Sequence, residues 1–115
     1  MTESDEPAFR ASHEQQRGTV IVRASGELDA FSVDQLTEHL EAAEEAEEAR
    51  VLLDLTGLTY LSSAGVATLV LQTKRYAERG HRLCVVADQP AVLRPITLTG
   101  ADDAINVVAT LDDAD

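Results

Sequence analysis

Val51-Leu52-Leu53-Asp54-Leu55-Thr56-Gly57-Leu58-Thr59-Tyr60-Leu61-Ser62-Ser63-Ala64-Gly65-Val66-Ala67-Thr68-Leu69 is the stretch on which the reading of this chain turns. Val51 to Leu55 is apolar on both faces except at Asp54, the pattern of an interior strand covered by helices on one side and other layers on the other. Leu61, Val66, Leu69, Val70, Thr73, Tyr76 and Ala77 then mark a helix that stops at Gly80, with Lys74, Arg75 and Arg79 in its last turns. Between strand and helix a tight loop places the hydroxyls of Ser62 and Ser63 at a helix start. Unpaired N–H groups and the positive end of the helix dipole meet there, so a serine can cap the helix or, once phosphorylated, carry a dianion.

Working outward, Ala8 to His13 and Thr19 to Ala24 read as strands of an opening hairpin, turned around Gln16, Arg17 and Gly18. Gly26-Glu27-Leu28-Asp29-Ala30 leads into Phe31-Ser32-Val33-Asp34-Gln35-Leu36. This reads as a capping box, with Ser32 at the N-cap, Gln35 at N3 and a hydrophobic staple from Phe31 to Leu36. Val33, Leu36, Leu40 and Ala43 follow the helical period, and glutamates fill the other faces to about Ala49. His81 to Ala87 reads as the next strand and Pro90 as the start of a third helix. Pro95 should leave that helix very short or kinked, and Ala104 to Val108 reads as a last strand. The order β-β-α-β-α-β-α-β implies an α/β fold: a mixed, mostly parallel sheet with right-handed crossovers and helices packed against it.

Composition limits the function. The chain of 115 residues carries 21 acidic and 9 basic side chains, a formal net charge of −12, which repels phosphate backbones and anionic lipids. With 2 Phe, 2 Tyr and no Trp there is no stacking platform for bases, so neither nucleic acid nor membrane is an expected partner. The N-terminus lacks a basic region followed by an apolar one, and the apolar runs fall short of a membrane span, which points to the cytoplasm. Cys84 lies within Leu83-Cys84-Val85-Val86-Ala87 and reads as a small core hydrophobe in a reducing compartment. The acidic face of the first helix reads chiefly as a solvated surface.

Catalysis finds little support. Ser63-Ala64-Gly65 is half of a Gly-x-Ser-x-Gly nucleophile elbow, but Leu61 stands where the first glycine is required. His13, His39 and His81 are scattered, with none placed to activate Ser63. One Cys and three separated His give no metal-ligand cluster, and no phosphate-cradling glycine loop is present, so no metal or cofactor is expected.

Gly26-Glu27-Leu28-Asp29, followed by the strand-to-helix run Leu52 to Leu69 with Ser62-Ser63-Ala64-Gly65, resembles the STAS domain of bacterial anti-sigma-factor antagonists. The resemblance covers nearly the whole chain, taken as residues 8–111, with 1–7 a flexible N-terminal segment and 112–115 an acidic C-terminal tail. It implies a small cytoplasmic α/β domain without catalysis of its own. Such a domain binds an anti-sigma factor that is also an ATP-dependent serine kinase, and that kinase then releases its sigma factor. A serine phosphatase would reset the site. Family members commonly read Asp-Ser-Ser/Thr-Gly here, so aligning on Gly65 makes Ser63 the phosphoacceptor, with Ser62 the alternative. Ser62 stands where the family often has Asp, and Ala64 replaces the second hydroxyl residue. The resemblance further implies a partner surface formed by Glu27, Asp29, Leu61, Ser62, Ser63 and Gly65. The competing expectation is an accessory or scaffolding STAS domain, such as a transporter subunit or part of a signalling complex, in which the serines only cap.

Overall fold

Valine and isoleucine alternating along Thr19-Val20-Ile21-Val22 favour a pleated strand with two distinct faces. The structure, a computed structural model, describes residues 8–46 and 50–114. In it β1 (Phe9–Gln16) pairs antiparallel with β2 (Thr19–Leu28) across a turn at Arg17-Gly18, where Gly18 takes φ 68°. There follow α1 (Val33–Glu45), β3 (Arg50–Leu61), α2 (Ser63–Glu78), β4 (Arg82–Val86), α3 (Pro90–Leu98) and β5 (Asn106–Val108). The five strands lie in the order β1-β2-β3-β4-β5, every pairing after the first being parallel, which is the mixed sheet expected from the element order.

Pleating sorts the side chains. Val20, Val22, Val51, Leu53, Leu55, Leu83 and Val85 face the helices and form one core with Leu36 and Leu40 of α1, Leu69 and Tyr76 of α2, and Val92 and Ile96 of α3. Among the described residues the opposite face of β3 is not sandwiched by a second layer, contrary to expectation. Ile21, Leu52 and Cys84 are covered, among the described residues, by a small cluster with Val108, Leu111 and Ala114, while the exposed Arg23 reaches Glu14 and lies 3.6 Å from the half-buried Asp54. Cys84 is buried, which pushes its thiol pKa up. Within the 112–115 stretch, Ala114 is buried and its carbonyl accepts a 2.7 Å hydrogen bond from Arg50.

Other expectations change in detail. β2 continues through Glu27 and Leu28, so the Gly-Glu-Leu-Asp segment is a strand end rather than a turn. Gly26 sits there at φ 91°, where the pairing with β3 shifts register and a Cβ would collide with the Ala8 carbonyl. The tight loop after β3 is absent, because the strand runs on to Leu61 and Ser62 alone joins it to α2. Consequently Leu61 belongs to the strand, and α2 buries Gln72 while leaving Ala77 exposed. α3 continues one turn past Pro95, as a helix of 9 residues. The expectations for 1–7 and for the end of α1 near Ala49 lie outside the described residues.

Candidate functional site

Parallel pairing brings the C-terminal ends of β2 and β3 side by side, Glu27 opposite Tyr60 and Leu28 opposite Leu61. The Leu28 carbonyl then accepts from Ser62 N at 2.9 Å, tying the start of α2 to the end of β2. Ser62 takes the extended N-cap conformation (φ −84°, ψ 171°). Its Oγ accepts from Gly65 N at 3.1 Å and its carbonyl from Val66 N at 2.9 Å. This is the cap expected of a serine at this helix start, and it occupies the Ser62 hydroxyl. Ser63 is the first helical residue. Its side chain is exposed and has no hydrogen-bond partner among the described residues. The first turn of α2 contains no acidic side chain, so none of the helix's own residues offsets its positive end.

Gly65 sets the closeness of this seam. A Cβ there would lie 2.6 Å from Leu61 Cδ1, 3.1 Å from the Leu28 carbonyl oxygen and 3.2 Å from Leu28 Cγ. Only glycine lets the first turn of α2 rest on the strand ends without displacement.

A second knot of hydrogen bonds holds the segment between β2 and α1. Ser32 Oγ accepts from Asp29 N at 3.0 Å and donates its proton toward the Glu27 carbonyl at 2.9 Å, with Asp29 Oδ1 at 3.2 Å. Asp29 Oδ1 also accepts from Phe31 N at 2.9 Å, and the Asp29 carbonyl accepts from the N–H groups of Ser32 and Val33 at 3.1 Å each. These bonds overturn the expected capping box. Ser32 precedes α1 at φ −110°, ψ −9°, and its side chain makes no cap bond because it is turned back onto Glu27 and Asp29. The staple fails with it: Leu36 is fully buried, whereas Phe31 is 97% exposed.

The STAS domain family pattern matches residues 10–114. The chain belongs to the STAS domain family. It is similar to the anti-sigma F factor antagonist of Paenibacillus polymyxa, with 27% identity over 107 residues covering 86% of this chain and 92% of that protein. The crystal structure of an anti-sigma factor antagonist from Mycobacterium paratuberculosis superposes with a TM-score of 0.84 at 30% identity, covering 92% of this chain and 90% of that one. The Bacillus protein SpoIIAA, solved in its phosphorylated form, shares the fold with a TM-score of 0.67 at 20% identity, covering 91% and 96% of the two chains.

Of the residues inferred for the partner surface, this STAS domain exposes Glu27 and Ser63, half-buries Asp29 and Ser62, and buries Leu61 and Gly65. The last two seat the helix rather than face solvent. Two aromatic residues outside those inferred for the site border the same end: Phe31, expected in the staple instead, and Tyr60 at 51% exposure. The signal available for Tyr60 is its position one residue before the last residue of β3. The histidines of the STAS domain lie elsewhere. His13 and His39 join β1 to α1 through an Nδ1 to Nδ1 hydrogen bond of 2.8 Å, and His81 packs edge-on to Tyr76, about 20 Å along α2 from Ser63. Among the described residues no helix is long and apolar enough to cross a membrane.

Proposed function

We propose that this domain is an anti-sigma-factor antagonist whose docking is controlled at Ser63. With Ser63 unmodified it binds an anti-sigma factor that is also an ATP-dependent serine kinase. Transfer of the γ-phosphoryl group of ATP to Ser63 Oγ ends that binding, and a serine phosphatase restores it. The observation that carries this reading is the division of labour between the paired serines: Ser62 Oγ is engaged with Gly65 N, whereas Ser63 is exposed at the first position of α2. The relatives support it, being named anti-sigma factor antagonists, one of which, SpoIIAA, is solved in both an unphosphorylated and a phosphorylated form.

The switch follows from electrostatics. A phosphoserine adds about −1.5 to −2 charges, which the N-terminal end of α2 tolerates, so the free domain stays folded. Burying that dianion against a surface shaped for a neutral hydroxyl carries a desolvation penalty of several kcal/mol. A penalty of roughly 3 to 4 kcal/mol weakens binding several hundred-fold.

The test uses the purified anti-sigma factor kinase encoded in the same genome. Ser63→Ala should bind it whether or not ATP is present, Ser63→Asp should fold but bind poorly, and the unaltered chain should take up one phosphate, located by mass spectrometry at Ser63. Phosphate at Ser62 would move the switch by one residue. Equal binding by Ser63→Ala and Ser63→Asp would favour the accessory-domain reading.

A further inference from the structure

We infer that Phe31 is an apolar anchor inserted into the partner that docks at Ser63, and that Asp29 serves that partner by holding Phe31 in position rather than by touching it. The inference rests on the functional reading above. It begins from the contrast between a side chain 97% exposed and a backbone that is fixed beneath it. Phe31 N is held by Asp29 Oδ1, and Asp29 is held in turn by Ser32 Oγ and by the N–H groups of Ser32 and Val33. Ser32, the keystone of this knot, is itself only 7% exposed. An aromatic ring presented on a preorganised support loses little conformational freedom on binding, which is how a single residue comes to dominate an interface.

Closeness along the chain to the residue that fixes Ser62 identifies the occupant. Leu28, whose carbonyl fixes Ser62 N, stands three residues before Phe31, so at most about 11 Å of chain separates the two. From Ser63 the exposed line continues along α2 through Ala67 and Leu71 before reaching Lys74. No charged side chain occurs between Ser63 and Thr73, in a chain whose net charge is −12. The α2 part of the surface around Ser63 is therefore an uncharged strip carrying Leu71 at 54% exposure, while at the strand ends Tyr60 at 51% exposure lies opposite the exposed Glu27. A partner covering Ser63 meets this strip, and the chemistry that fits is an apolar pocket for the ring. Asp29, half-buried with its Oδ1 already accepting from Phe31 N and lying 3.2 Å from Ser32 Oγ, is suited to support rather than contact.

Calorimetric titration of the purified anti-sigma factor kinase with the full chain and its variants tests this. Phe31→Ala should bind roughly 30-fold or more weakly, the scale of a buried aromatic anchor, with an unchanged melting temperature. Phe31→Leu should recover most of the affinity, and Asp29→Asn, which keeps an acceptor oxygen, should bind better than Asp29→Ala. The Asp29→Ala/Phe31→Ala double variant should bind no more weakly than Phe31→Ala alone, since a positioning residue has nothing left to position. Binding by Phe31→Ala within about threefold of the unaltered chain, while Ser63→Asp fails to bind, would overturn the anchor and leave the switch standing. Absence of binding by both the unaltered chain and Ser63→Ala would overturn the two together.

Discussion

Replacing Gly65 with alanine is expected to destabilise the domain by about 1 to 2 kcal/mol, even though alanine is the better helix former. The new Cβ would lie 2.6 Å from Leu61 Cδ1, 3.1 Å from the Leu28 carbonyl oxygen and 3.2 Å from Leu28 Cγ. Rotating Leu61 could ease the first contact, but Leu61 is 3% exposed and Leu28 is fully buried, so neither has solvent to retreat into. Relief of the other two requires the first turn of α2 to lift from β2, which stretches the 2.9 Å bond from Ser62 N to the Leu28 carbonyl. Overpacking of this kind costs roughly 1 to 3 kcal/mol, whereas helix propensity returns at most about 1 kcal/mol. Urea unfolding should show a lower midpoint with an unchanged slope, and thermal unfolding a melting temperature lower by about 4 to 8 °C. A midpoint equal to or above that of the unaltered chain would refute the reasoning, because it would mean that α2 is not seated by close approach to the strand ends.

The paired serines should separate in the same assay: Ser62→Ala loses a cap and about 1 kcal/mol, whereas Ser63→Ala stays within about 0.5 kcal/mol of the unaltered chain. Tyr76 donates a 2.6 Å hydrogen bond to the Leu40 carbonyl across the α1–α2 contact, so Tyr76→Phe should cost about 0.5 to 1.5 kcal/mol in urea. Burial, with Glu44 adding to it, pushes the Tyr76 phenol well above its ordinary range. The folded state then keeps a proton that the unfolded state releases near pH 10, so stability should fall as pH rises above about 10, and Tyr76→Phe should flatten that fall. Glu41 makes only a 3.9 Å surface ion pair with Arg75, so the Glu41→Lys/Glu45→Lys double variant should keep its stability within about 1 kcal/mol, and unchanged kinase affinity would mark this face as solvating surface.

Part of the site was legible because its signals are local. A serine before an apolar helical repeat marks the cap, and here Ser62 accepts from Gly65 N as that pattern implies. The Ser32 pattern is equally good locally and failed, because an alternative set of partners, Glu27 O and Asp29 N, is supplied by a strand end whose course depends on pairing with β3. Phe31 was lost in the same way: once Ser32 turns back, the geometry that would fold the ring onto Leu36 no longer exists. The length of β3 was also hidden, since Asp54 and Gly57 are weak strand signals that become strand through register with β2.

Hydrophobic periodicity and helix-end chemistry, which act over a few residues, by themselves determined the element order, the mixed sheet, the helix-facing core and a capping serine at the start of α2. Tertiary structure alone decided which strand ends lie together, why residue 65 is glycine, which partners Ser32 takes and that Phe31 is left in solvent. Those outcomes depend on contacts between segments far apart in the chain, such as Leu28 with Ser62, and no local pattern encodes the distance between them.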